Sequence, residues 1–81
     1  GYGYEALGLW CQYLFDNEPK FVRLGLRTYS LYIGMMKLSE RLGFKKEAVF
    51  RMARIVDGEY CDGLGYGILR TEWEALYPEG F

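Results

Sequence analysis

Apolar positions along the chain change period several times. Between Glu5 and Phe15 they recur at three and four, as Leu7, Trp10, Cys11, Leu14 and Phe15. That spacing predicts a helix, stopped by Asp16-Asn17-Glu18-Pro19. From Lys20 to Tyr29 the period falls to two. Val22, Leu24, Leu26 and Thr28 share one face, and Phe21, Arg23, Gly25, Arg27 and Tyr29 the other, which predicts a strand. Ser30 is placed to cap a second helix with a stripe of Leu31, Met35, Leu38 and Leu42, and Gly43 stands just past its end. Glu47 to Val56 and Glu59 to Leu69 predict a hairpin about Asp57-Gly58. In the returning strand Gly63, Gly65 and Gly67 fall on one face, leaving it nearly bare for a close neighbour. Thr71-Glu72-Trp73-Glu74 has the form of a capping box and opens a short last helix, ended by Pro78 and Gly80.

The order predicts an α+β fold (α/β-like): helix, strand, helix, then a β-hairpin, with two main helices and a short C-terminal helix. A right-handed crossover joins the first two strands, and the hairpin's second strand lies between the other two in a three-stranded mixed sheet. Composition changes this picture in one respect. The chain has 81 residues, 51% of them hydrophobic and 19% aromatic. A chain of this length buries only about 60–65% of its unfolded surface. The apolar load is large for so small an interior, so a partner surface is expected.

Charge and residue counts narrow the function. Ten Lys plus Arg against eleven Asp plus Glu lack the basic excess of a nucleic-acid binder. No apolar run reaches the roughly 20 residues that cross a bilayer as a helix. The absence of His excludes His-based catalysis and most zinc sites. Cys11 and Cys61 are too few for a disulfide framework. Two reduced thiols in a cytoplasmic protein are expected, and a single bridge is the alternative. The eight Tyr read as core and interface residues, not as a base-stacking platform. Lys45, Lys46, Arg51 and Arg54 read as a solvated strand face, with phosphate contact as the alternative.

One local signal carries chemistry. Gly1-Tyr2-Gly3 opens directly into a helix. Glycines let a ligand approach the backbone, and the first N–H groups of a helix have no internal partner, so the two together suit a phosphate.

Five segments in order extend that signal: Gly1 to Leu7, the strand Phe21 to Ser30, Leu38-Ser39-Glu40-Arg41-Leu42-Gly43-Phe44, Phe50 to Asp62, and Ile68-Leu69-Arg70-Thr71-Glu72-Trp73. Together they resemble the C-terminal half of a GNAT-superfamily N-acetyltransferase, nearest the ribosomal-protein N-terminal acetyltransferase branch. The resemblance implies acetyl-CoA as cosubstrate, an amine on a protein N-terminus or small molecule as acceptor, and no metal. It implies that Gly1, Tyr2, Gly3 and Tyr4 meet the CoA pyrophosphate. Tyr32 stands where the family usually has Asn near the CoA arm, and Met35 where it has Ala or Ser. Ser39 stands at the usual general-acid Tyr, and a Ser hydroxyl is a poor acid. On this reading residues 1–81 are a single partial domain lacking its N-terminal half, and the general base lies outside them. The strand Lys20 to Tyr29 is then an open edge, covered in a homodimer or by the missing half. A non-catalytic α+β association module derived from that fold is the alternative.

Overall fold

In the computed structural model residues 2–81 are described, in the order α1 (Tyr2–Asn17), β1 (Arg23–Tyr29), α2 (Ile33–Leu42), β2 (Lys45–Val56), β3 (Glu59–Leu69) and α3 (Arg70–Leu76). The three strands form one sheet in the order β1-β3-β2. Both pairings are antiparallel, so the sheet is antiparallel and not mixed. β3 stands between the other two as the hairpin predicts, and the parallel strands β1 and β2 never meet.

Helix α1 already includes Tyr2, three residues ahead of the Glu5 at which the apolar spacing begins. Its buried line is Gly8, Cys11 and Phe15, and Trp10 lies outside, stacked on Tyr13 at 5.5 Å between ring centres. Gly8 is on that line because the Phe81 ring lies against it and leaves no room for a Cβ. Ser30 does not cap α2. Its N–H donates to the Asp62 carbonyl and its Oγ accepts from the Asp62 N–H, both at 2.9 Å, so it ties β1 to β3. Tyr32 takes the cap position without a side-chain bond. The helix buries Ser39 and Leu42, while Leu31 is exposed. Gly43 ends it at φ 110°, a left-handed conformation that glycine adopts without steric cost.

The β2–β3 hairpin turns on Asp57 (φ 53°) and Gly58 (φ 80°), both positive as a tight primed turn requires. Farther in, β2 places Arg51, Met52 and Ala53 against the single Asp62. Met52 takes φ 50°, and its N–H donates to the Asp62 carboxylate at 2.9 Å, which holds the bulge. Helix α3 begins earlier than the Thr71 box predicts. Leu69 is its cap residue, and the Glu72 carboxylate accepts the Leu69 N–H at 2.9 Å.

All three helices contribute to one core. Cys11 and Phe15 of α1, Leu42 of α2, Phe44, and Trp73 of α3 close over Leu64, Tyr66 and Ile68 of β3. The Trp73 indole donates to Gln12 at 2.7 Å. Arg70 secures the passage from α1 to β1, donating to the carbonyls of Phe15, Glu18 and Phe21 at 3.0, 2.7 and 2.7 Å. The Phe15 carbonyl is one that a helix end leaves without an intrahelical partner, and the Glu18 carbonyl also accepts the Phe21 N–H at 3.0 Å.

Candidate functional site

The start of α1 lies against the middle of α2. A Cβ on Gly3 would sit 3.7 Å from Leu38 Cδ2, an ordinary contact. Beside it Tyr4, Gly34, Lys37, Leu38 and Arg41 line a groove of about 320 Å³. Gly34 has nothing within 4 Å of where its Cβ would be, which keeps the groove open. The Arg41 guanidinium lies over the Tyr4 ring, 4.1 Å from its centre. That stacking fixes the cation beside the first turn of α1. Two cations and the positive end of a helix thus share one depression, an arrangement suited to a phosphorylated ligand.

The predicted site residues are distributed unevenly around it. Gly1 lies outside the described residues. Tyr2 and Gly3 are in the first turn of α1, with Tyr2 almost wholly exposed, and Tyr4 forms a wall of the groove. Tyr32 and Met35 do not line it. The Tyr32 ring is exposed and meets Tyr29 edge-on at 6.0 Å, on the side of α2 where β1 ends. Met35 is half-buried, and its carbonyl accepts the Ser39 hydroxyl at 2.8 Å. Ser39, at the family's usual general-acid position, is fully buried. A hydroxyl closed off and bonded to its own helix has no route to a leaving group.

Lys37 and Arg41 are the residues the sequence reading missed. Their signal is spacing: Gly34, Lys37, Leu38 and Arg41 fall at i, i+3, i+4 and i+7, one face of a helix. Lys45, Lys46, Arg51 and Arg54 are exposed on β2 and none of them lines the groove. Lys45 pairs with Glu72.

Other ionisable groups near the core are structural. Burial pushes the Cys11 thiol up to about 11, too high for a nucleophile at neutral pH. Cys11 and Cys61 are both free and buried. Burial likewise pushes the Tyr77 phenol up to about 12, and its hydroxyl donates to the Leu42 carbonyl. The Tyr66 phenol is raised by burial and then by its 2.9 Å bond to Glu40. No group of metal-ligating side chains occurs among the described residues, and no described helix is long and apolar enough to cross a membrane.

No protein-family model matches the chain. Known structures do. A GCN5-related N-acetyltransferase from Brucella melitensis is 30% identical with a TM-score of 0.77, covering 94% of this chain and 34% of that one. A GNAT-family acetyltransferase from Bacillus anthracis is 26% identical with a TM-score of 0.75, covering 89% of this chain and 43% of that one. In sequence, an SPbeta prophage-derived uncharacterized N-acetyltransferase (YokL) of Bacillus subtilis strain 168 is 33% identical over 60 residues, 74% of this chain. The chain spans 34% of that relative's length. The three helices and antiparallel sheet are therefore the fold of part of a GNAT acyltransferase.

Proposed function

We propose that this chain is the acetyl-CoA-holding part of a GNAT-type N-acetyltransferase that acetylates an amine. The groove between α1 and α2 is the observation that carries the reading, taken with the GNAT fold. Its residues suit the cosubstrate's phosphates: the first-turn N–H groups of α1 donate to anionic oxygens, and Lys37 and Arg41 neutralise their charge. When bound, acetyl-CoA supplies the acetyl group as an activated thioester. The chain's own share is binding and orientation. Ser39 is sealed inside, so proton transfer falls to groups outside these residues. The outer edge of β1, unpaired in the order β1-β3-β2, takes a strand from the rest of the domain or from a second copy.

Calorimetric titration of acetyl-CoA into the intact protein tests the reading. Binding is expected, weakened about tenfold or more in Lys37→Gln/Arg41→Gln, since each charged hydrogen bond contributes roughly 1.5–3 kcal/mol. Absence of binding overturns it. The burial of Ser39, with Tyr32 and Met35 at positions where the family carries smaller residues, favours a second reading: an association module without acetyl transfer. Turnover with any amine removes that alternative.

A further inference from the structure

The face of the sheet turned away from the helices has its own architecture. Its central strand contributes Gly63, Gly65 and Gly67, so side chains from the two outer strands meet across it. Arg23 of β1 reaches Glu47 of β2 at 2.6 Å above Gly67. Arg27 of β1 lies over the Phe50 ring of β2, 5.4 Å from its centre. Arg54 of β2 lies over the Tyr29 ring of β1, also at 5.4 Å. These three rungs enclose two slots. One, of about 340 Å³, lies between the first and second rungs over Gly65. The other, of about 270 Å³, lies between the second and third over Gly63. Arg27 and Phe50 line both slots.

The charge of the slots is one-sided. Among the described residues Glu47 is the only carboxylate lining them, and Arg23 already neutralises it. The ion pairs among the described residues are Arg23–Glu47 and Lys45–Glu72, so Arg27 and Arg54 have no carboxylate partner there. A guanidinium held over a ring without an ion-pair partner keeps N–H groups available, and their fork matches a carboxylate's two oxygens. Gly65 and Gly63, which floor the two slots, are two residues apart, about 7 Å along a strand. Alternate side chains of an extended peptide have the same spacing.

We propose that this face binds an extended acidic peptide of a partner protein, with carboxylates from alternate residues entering the two slots. Arg27 contacts both carboxylates, and Arg54 contacts the one over Gly63. The surface is on the opposite side of the sheet from the α1–α2 groove and does not depend on acetyl transfer.

Fluorescence anisotropy of a labelled Glu-Ser-Glu-Ser-Glu peptide with the intact protein tests this, beside the same peptide with Lys for Glu. The Glu peptide is expected to bind and the Lys peptide not. Arg27→Gln and Arg54→Gln are each expected to weaken binding about tenfold, and Arg51→Gln, on the same strand outside the slots, by less than about twofold. The amides of Gly63 and Gly65 are expected to shift in NMR spectra on binding, and unchanged thermal melts of the variants exclude unfolding as the cause. Absence of binding, an equal loss in Arg51→Gln, or equal affinity for a single-stranded RNA of similar charge overturns the proposal.

Discussion

The two faces of β3 are built from alternating residues of one strand and have opposite roles. Leu64, Tyr66 and Ile68 point under the helices and are at most 4% exposed. Gly63, Gly65 and Gly67 point the other way and contribute no side chain, so the outer strands close over them with cations and rings. The first face concentrates apolar burial, which is the main source of stability in a domain this small. The second contributes little to stability and leaves guanidinium groups at the surface. Alternation lets one strand separate the two tasks, because substitutions on one side need not disturb the other.

Truncating one large residue against each face separates the two roles most strongly. Trp73→Ala removes the side chain that meets Phe15, Tyr77 and Phe81 and donates to Gln12. It is expected to cost about 3–5 kcal/mol, a large part of a small domain's stability. Phe50→Ala, on the glycine face and 48% exposed, is expected to cost less than about 1 kcal/mol. Urea unfolding followed by circular dichroism measures both, and equal losses would abolish the distinction. Arg70→Met is next: it removes three side-chain bonds to carbonyls at the α1–β1 passage, an expected loss of about 1.5–3 kcal/mol. Hydrogen exchange in residues 18–22 should rise in that variant and stay unchanged at the β2–β3 turn. Gly43→Ala follows, at about 1–2 kcal/mol for a side chain in the left-handed region. Its Cβ would also displace the Leu76 side chain.

The smallest expected effect depends on pH. The Glu72 carboxyl is held below its ordinary value of 4.5, first by the Lys45 ammonium and then by the Leu69 N–H. A lowered carboxyl contributes stability that is present above 4.5 and lost as pH falls through the lowered value. Lys45 is raised above 10.5 by the same partner, and its share is present below 10.5 and lost as pH rises through the raised value. Comparing the melting temperature of Glu72→Gln with that of the parent should show a difference at neutral pH that vanishes in acid. The pair is exposed to water, so the difference should be small.

Local signals made much of this fold legible. The Asp57-Gly58 turn, the Gly43 helix end, the period-two face of β1 and the central place of β3 all follow from neighbouring residues or simple connectivity. Features set by distant partners did not follow. Ser30 has the chemistry of a helix cap, but the backbone of Asp62 occupies it. Ser39 reads as a tolerant polar position on a helix, yet it lies at 0% exposure beneath the packed helices. The three bonds of Arg70 span 49 to 55 residues, beyond any sequence window. In the candidate site, Tyr4 was legible from the glycine-led helix start. Lys37 and Arg41 gain meaning only once α1 is laid against α2.

The most direct test of the cofactor-holding role is an NMR titration of the intact protein with coenzyme A. Shifts are expected in the first turn of α1 and in residues 34–41 of α2, with Gly63, Gly65 and Gly67 unmoved. Saturable binding that shifts only the glycine face, or no binding at all, would contradict it.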